Sequence, residues 1–234
     1  MKYIASLSGG KDSVCMVLKL IEERWKLDEV IYYDNGMDFQ AIHNVVFNQV
    51  YPILKENNIK FTVLHPKNSF LYDMFDREIN GKNGKIHYGY SWCGGLVRWG
   101  TREKTRICNK YCENSYQYIG IAYDEKDRIK DKICPLVEWK MTEKDYLEYC
   151  RQHGIKWIEH TKNGDIDLYD ILDRVSCWCC SNKNLKELRN IYIYIYLPEY
   201  WEKLKELQLK TERPFKKNRT IFELEEKFKN ELFK

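Results

Sequence analysis

The sequence predicts an α/β fold, a doubly wound and mainly parallel sheet with a C-terminal helical extension. Three observations predict it. Short apolar runs at Tyr3–Leu7, Glu29–Tyr33 and Lys60–Leu64 alternate with segments of helical period. Each run stops at a turn: Ser8-Gly9-Gly10, Asp34-Asn35-Gly36 and His65-Pro66. From residue 184 onward the pattern is mostly helical. Strand–helix–strand–helix–strand order implies a parallel sheet with helices on its faces, because parallel neighbours need a crossover between them.

Taken in order, the first run reads as a buried strand and a tight turn. Val14, Val17, Leu18 and Ile21 then recur at i, i+3, i+4 and i+7, one apolar helix face. Asp12 or Ser13 is expected to cap that helix. After the second strand, Ile42, Val45, Val46, Val50 and Ile53 give a second helix ending near Asn57-Asn58. The third strand follows. Residues 70–77 read as a short helix, 80–90 as a Gly/Lys/Asn-rich loop, and 96–111 as a basic helix. Residues 116–122 give a fourth strand, followed by a charged loop at 123–132. Thr142, with Asp145 three residues on, caps a helix over 143–153. Residues 157–167 read as irregular, and 224–233 as an amphipathic closing helix. The alternation of Ile191, Ile193 and Ile195 with Tyr192, Tyr194 and Tyr196 fits a strand by period and a helix by context. The expected domains are a nucleotide-binding domain over 1–180 and a helical extension over 181–234.

The bulk composition suits a chain with a proper core. Apolar residues make up 44 % of its 234 residues, charged residues 32 %, and the net charge is +4. Such mild basicity suits an anionic ligand without demanding nucleic acid. The apolar start is broken at once by Ser8 to Lys11, and no apolar run has the length of a bilayer span. The expectation is a cytoplasmic protein with no membrane association; a homo-oligomer is left open.

The sharpest chemical signal is Ser8-Gly9-Gly10-Lys11-Asp12-Ser13 between a strand and a helix. A helix start leaves backbone N–H groups unpaired, and its dipole is positive there. Glycines let that backbone approach a phosphate closely. Lys11 adds a mobile charge, and the Ser8 and Ser13 hydroxyls add donors. Asp12 suits Mg²⁺ or a backbone N–H. Lys11, Asp12 and Ser13 are the catalytic candidates; Ser6, Ser8, Gly9, Gly10, Lys11 and Ser13 are the phosphate-binding ones. The spacing of a Walker A loop is not met.

This hexapeptide resembles the signature of the PP-loop superfamily. The resemblance implies an adenine nucleotide α-hydrolase-like fold and enzymes that split ATP to AMP and pyrophosphate through an adenylylated substrate. Further segments resemble the PAPS reductase-like branch. These are Tyr33-Asp34-Asn35-Gly36-Met37-Asp38-Phe39, Trp92-Cys93 with Arg98, and Gly120-Ile121-Ala122-Tyr123-Asp124-Glu125 with Arg128. Pro135-Leu136 with Trp139, Thr142-Glu143 and Asp145, then Leu168-Tyr169-Asp170 with Arg174, Cys177 and Cys180, complete the order. The likeness covers about residues 3–180. It implies that Asp34, Gly36, Asp38, Arg98, Gly120 and Arg128 join the nucleotide site. Each also has a plainer reading: Asp34 and Asp38 as helix caps, Gly120 as a packing residue, Arg98 and Arg128 as solvated charges.

Nine cysteines, at 15, 93, 108, 112, 134, 150, 177, 179 and 180, make an odd count with no export signal. That argues against a disulfide framework. Cys177-Trp178-Cys179-Cys180 holds a C-x-x-C, and thiolates suit zinc or an iron–sulfur cluster. Cys93, Cys177 and Cys180 form the candidate metal set. Cys179, Cys134, Cys108 or Cys112 could supply a fourth ligand, or the position stays open to carry sulfur, as cluster-dependent thiolation enzymes would allow. Cys15 and Cys150 read as buried thiols. No cysteine follows Cys180, so the tail nucleophile of sulfonucleotide reductases is missing.

The expected function is therefore an ATP-using, Mg²⁺-dependent PP-loop enzyme that adenylylates a substrate for sulfur or nitrogen transfer. A 4Fe-4S cluster or zinc would serve sulfur insertion into a nucleobase, with tRNA as the candidate partner. The alternatives are a PAPS/APS reductase-like enzyme and a non-catalytic nucleotide-binding module of a larger complex. The basic stretch 210–219 reads as a solvated loop or an RNA contact.

Overall fold

The computed structural model describes the backbone of residues 1–81, 84–128, 132–193 and 198–232, and their side chains except at 126–128, 198 and 232. The chain runs β1 (Tyr3–Leu7), α1 (Lys11–Glu22), β2 (Glu29–Tyr33) and α2 (Gln40–Asn44). A π-helical stretch Val45–Val50 leads into α3 (Tyr51–Glu56), and β3 (Lys60–Leu64) follows. Pro52 has no N–H to give the preceding turn, which accounts for the slipped hydrogen-bond register. Next come a second π turn (Tyr72–Asp76), β4 (Glu78–Asn80), β5 (Ile86–Tyr88), α4 (Trp99–Tyr111) and β6 (Tyr116–Ile119). A 3₁₀ stretch (Tyr123–Arg128), α5 (Pro135–Glu138), α6 (Glu143–Gln152), β7 (Ile158–Thr161) and β8 (Gly164–Asp167) continue the chain. It closes with α7 (Leu168–Ile171), α8 (Leu185–Ile193), α9 (Pro198–Leu209) and α10 (Ile221–Leu232).

The fold is α/β with C-terminal helices. Its main sheet has the order β3-β2-β1-β6, every pair parallel. The chain steps outward from β1 to β2 to β3, then returns to place β6 on the other side of β1. The direction of winding therefore reverses between β1 and β6. Right-handed crossovers put α1 and the α2–α3 segment on one face and α4 on the other. The α4 face holds Ile4, Ile31, Tyr33, Cys108 and Cys112, with Leu64 and Ile107 against them. On that same face Glu29 is buried. It accepts from Lys60 at 2.8 Å, Thr62 at 2.6 Å and Tyr111 at 2.6 Å. Burial alone would raise its pKa, but these donors hold it down at about 2.

Two compact units make up the chain: Met1–Asp34, Gln40–Pro66 and Glu103–Trp157 in one, and Asn35–Phe39, Lys67–Arg102 and Ile158–Lys234 in the other. The expected boundary at 180/181 falls inside the second unit. Local bonds explain why: Arg174 N–H donates to Glu187 at 3.1 Å, and Ser181 Oγ to the Cys93 carbonyl at 3.1 Å. The Lys216 ammonium in turn donates to the Ser181 carbonyl at 2.5 Å. The core of the second unit packs the fully buried Trp201 against Tyr192 and Phe228, with Leu188, Ile191, Leu204 and Leu224. Each such large apolar side chain contributes about 1.5–3 kcal/mol.

Several local expectations are corrected. The supposed loop 80–90 holds the last residue of β4 and the whole of β5, which pair antiparallel with Ile79 opposite His87. Its Gly/Lys/Asn composition hid the alternation Ile86-His87-Tyr88. The stretch 157–167 holds the β7–β8 hairpin, closed by Thr161 Oγ1 donating to the Gly164 carbonyl at 2.7 Å. Helix α4 starts at Trp99 because Gly94 and Val97 exchange two backbone hydrogen bonds of 2.9 Å and take 94–97 out of the helix. The fourth strand ends at Ile119, where Ile121 N–H turns back to the Ile119 carbonyl at 3.0 Å. Residues 191–193 belong to α8; 194–197 lie outside the described residues.

Candidate functional site: a phosphate loop and a thiol cluster

In the first unit, β1 ends at Leu7 and the chain turns through Ser8-Gly9-Gly10 into α1. The crevice where winding reverses, at the carboxyl ends of β1 and β6, is where ligands bind in open α/β sheets. Gly10 is the N-cap of α1, with no side chain capping it, so the expected Asp12 or Ser13 cap is not formed. Ser13 instead braces the loop. Its Oγ accepts from Ser8 N–H at 3.0 Å and donates to the Gly10 carbonyl at 3.0 Å. With that proton committed, the 2.9 Å contact between the two hydroxyls makes Ser8 Oγ the donor. The helical ladder begins with Val14 N–H on the Gly10 carbonyl, so the N–H groups of Lys11, Asp12 and Ser13 precede it.

Two glycines are required by space. Gly9 has φ +74°, and a Cβ there would meet Ile42 Cγ2 at 2.6 Å. A Cβ on Gly120 would come within 3.1 Å of the Asp12 carbonyl and Ser13 Cα. The end of β6 thus rests directly on the first turn of α1.

Lys11 is buried, and its ammonium sits on Glu143 Oε1 at 2.6 Å, with Asp12 Oδ1 at 3.5 Å and the Tyr146 ring 5.7 Å away. Burial raises the Asp12 pKa, opposed by Lys11 and reinforced by Glu143. Burial likewise raises the Tyr146 phenol, helped by Asp12, Asp124, Glu143 and Glu125. The carboxylates of Asp12 and Glu143 therefore flank the start of α1. Ser6 lies within β1, its Oγ accepting from Gln117 Nε2 at 2.7 Å, where it ties β1 to β6. Asp34, at the end of β2, stands 3.8 Å from His43 Nε2. The side chain of Arg128 lies outside the described residues.

In the second unit, Asn35 turns the chain, its Oδ1 accepting from Met37 N–H at 2.8 Å, and Gly36 takes φ +74°. Asn35 Nδ2 also donates to Cys177 Sγ at 3.3 Å, and Cys177 Sγ donates to Asp38 Oδ1 at 3.5 Å. Trp178 N–H reaches the Met37 carbonyl at 3.0 Å. Asp38 and Gly36 thus sit with the cysteine segment. Cys180 N–H closes a turn onto the Cys177 carbonyl at 3.1 Å. Cys93 is drawn in by Ser181, whose N–H and hydroxyl both donate to its carbonyl. Burial raises the Cys93 pKa, and Cys180 adds to the rise. Cys179 is buried and its thiol pushed well up, first by burial and then by Cys177, Cys180 and Cys93. The four candidate thiols lie close enough to influence one another. Cys93, Cys177 and Cys180 are half-buried; Cys179 is not accessible. Arg98 is exposed, its Nε donating to the Gly95 carbonyl at 2.9 Å.

Sulfur donors suit a thiophilic metal. Among the described residues, no group of three or more His, Cys, Asp or Glu is arranged to hold a metal ion. The other possible fourth ligands belong to the first unit. Cys108 and Cys112 pack in its core, where burial pushes Cys112 up to about 11, and Cys134 is buried as well. Cys15 and Cys150 are fully buried, Cys150 Sγ donating to the Lys11 carbonyl at 3.6 Å.

Sequence reasoning missed three functional neighbours. Glu143 stands in the sequence as a helix start and as part of a family-like segment, with nothing to pair it with Lys11. Lys183 is buried beside the thiols, its Nζ 5.2 Å from the Phe39 ring centre and 3.4 Å from the Arg174 carbonyl; burial lowers its pKa while the neighbouring thiols oppose. Trp157 reads as an ordinary core aromatic. Only the lysine at three residues after Cys180 carried a local signal.

No protein-family model matches the sequence, and neither does any curated protein. Among solved structures the chain is similar to the U34-tRNA thiolase NcsA from Methanococcus maripaludis with its [4Fe-4S] cluster. The identity is 14 %, the match covers all of this chain and 73 % of that one, and the TM-score is 0.47. No described helix is long and apolar enough to cross a membrane.

Proposed function

We propose that the chain binds Mg-ATP at the Ser8–Ser13 loop and adenylylates a substrate for sulfur or nitrogen transfer, with a nucleobase of tRNA as the acceptor. The observation that carries this reading is the loop's position. It links β1 to the start of α1 where the sheet's winding reverses, with three N–H groups ahead of the helical ladder. A substrate oxygen attacks the α-phosphorus and the bond to pyrophosphate breaks. A sulfur or nitrogen nucleophile then displaces AMP. Lys11 leaves Glu143 for a phosphate oxygen and offsets charge gathering on pyrophosphate. The oxygens of Asp12 and Glu143 suit the magnesium that accompanies the nucleotide. Asp34 and Gly120, in the same unit as the loop, complete the nucleotide-binding set; Gly36, Asp38 and Arg98 belong to the unit of the thiols, and the Arg128 side chain lies outside the described residues.

The sulfur chemistry falls to Cys93, Cys177, Cys179 and Cys180, as ligands of an iron–sulfur cluster or zinc. The C-x-x-C spacing of Cys177 and Cys180, with Cys93 tied to the adjacent Ser181 through its carbonyl, is what supports the assignment. Bound there, the metal would supply a thiophilic centre that carries sulfur.

Thermal unfolding with Mg-ATP, APS and PAPS in separate samples tests the nucleotide. A ligand that binds only the folded state stabilises it by RT ln(1 + [L]/Kd). Stabilisation by Mg-ATP, with release of AMP and pyrophosphate that Lys11→Ala abolishes, supports the reading. Greater stabilisation by PAPS or APS overturns it in favour of a sulfonucleotide enzyme, and bound but unconsumed ATP points to a nucleotide-sensing module. Iron or zinc in anaerobically purified protein tests the thiols.

A further inference from the structure

Trp157 lies beyond the turn that follows α6, two residues separating them, and it is fully buried. Its indole N–H donates to the carbonyl oxygen of Gly9 at 2.6 Å, across 148 residues of sequence. Lys156, the residue before it, is held through both its N–H and its carbonyl. Lys156 N–H donates to Gln49 Oε1 at 3.1 Å, and Gln49 Nε2 donates back to the Lys156 carbonyl at 3.0 Å. Gln49 sits in the π-helical stretch Val45–Val50, the same stretch whose Val46 lies against Gly9. The indole is therefore held by the element on which the loop itself rests. All these residues belong to the first unit.

A trans peptide is planar, with its C=O and N–H pointing in opposite directions. Fixing the Gly9 carbonyl towards the buried indole turns the Gly10 N–H away from it. Without that bond the Gly9–Gly10 peptide could rotate, since two adjacent glycines offer little steric resistance to a flip. A flipped peptide would present a carbonyl oxygen, repelling a phosphate.

We propose that Trp157 is a positioning residue of the phosphate loop, its indole N–H fixing the Gly9–Gly10 peptide so that the Gly10 N–H faces a bound phosphate. The assignment rests on the reading of Ser8–Ser13 as a phosphate site. It adds a donor to the three N–H groups of the first helical turn and names what aims it.

The test uses the whole chain and two replacements. Trp157→Phe removes the N–H and some volume. Trp157→3-benzothienylalanine, introduced at that one position, keeps the shape and replaces N–H by sulfur. Binding of Mg-ATP and of inorganic pyrophosphate is measured at a temperature where circular dichroism shows each protein folded. The Gly10 amide resonance is followed in glycine-labelled protein. The isostere should unfold close to the native temperature yet bind both ligands about tenfold more weakly, the worth of one hydrogen bond. Its Gly10 resonance should no longer move on adding pyrophosphate. An isostere that binds both ligands as the native chain does overturns the role of Trp157 and leaves the phosphate loop standing. A native chain that binds neither ligand overturns both.

Discussion

Replacing Gly120 by alanine tests how β6 and the loop are joined. A Cβ at that position would stand 3.1 Å from the carbonyl carbon and oxygen of Asp12 and from Ser13 Cα. Those atoms are helix backbone, and the helix they belong to is anchored by Val14, Cys15, Met16 and Val17, all fully buried. Little can yield except the loop. Overpacking of this kind costs about 1–3 kcal/mol. Alanine also restricts the unfolded chain, which returns about 0.4–1 kcal/mol. The net expectation is a loss of about 1–2 kcal/mol. In a chain of 234 residues each kcal/mol moves the unfolding temperature by ~2–4 °C. Urea unfolding gives the stability, and thermal unfolding with and without Mg-ATP gives the ligand effect. Because the displaced atoms are the first turn of α1, nucleotide stabilisation should fall more than stability itself. A Gly120→Ala protein that is more stable than the native chain and binds Mg-ATP equally well would refute the close approach on which this reasoning depends.

Other perturbations have equally definite outcomes. Glu29 titrates at about 2 instead of the usual 4.5, a difference corresponding to about 3 kcal/mol of stability. The folded pKa is depressed, so this contribution is present above 4.5 and lost as pH falls towards 2; Glu29→Gln should lower the urea midpoint at pH 7, with the gap to the native chain closing in acid, and an unchanged gap would contradict the account. Glu143→Gln releases Lys11 from a pair whose carboxylate side chain is 58 % exposed, so stability should change by about 1 kcal/mol or less. Affinity for metal-free pyrophosphate in low salt should rise in that variant while affinity for Mg-ATP falls, because Glu143 both holds Lys11 at rest and faces the magnesium; a rise for both would mean that Glu143 does not meet the magnesium. Cys177→Ser and Cys180→Ser should each lower the metal content of anaerobically purified protein, whereas Cys108→Ser should leave it unchanged; elemental analysis distinguishes the two results.

The four parallel strands were legible because each is a short apolar run ended by a turn, and β2 is buried on both faces. The hexapeptide Ser8–Ser13 was legible because its residue types are needed where a strand meets a helix. The two small hairpins were not, since Gly, Lys and Asn in one and charged residues in the other mask a period of two over only three or four residues. Nor could sequence reveal what the loop's own polar groups do. Lys11 lies 132 residues from Glu143, and Trp157 lies 148 from Gly9. Such partners depend on how α6 and the turn after it pack, which no local pattern encodes.

Those long-range partners alter the chemistry assigned to the loop. Both serine protons are spent inside it: Ser13 donates to Gly10, and Ser8 donates to Ser13. The hydroxyls therefore shape the turn, and a phosphate would be met chiefly by main-chain N–H groups, which neither titrate nor need reorientation once the peptides are fixed. Lys11 begins on a carboxylate, so its arrival on phosphate exchanges one anionic partner for another and strips little additional water from the ammonium. The cost of binding then lies mainly in displacing Glu143, a carboxylate more than half exposed that can turn to solvent or to the nucleotide's magnesium. A bare phosphate supplies no such cation to the carboxylates around α1. On this reasoning pyrophosphate should bind more tightly with magnesium than without it, and the difference should shrink when Glu143 is replaced by glutamine. Equal binding with and without magnesium would show that the carboxylates around α1 do not face the ligand.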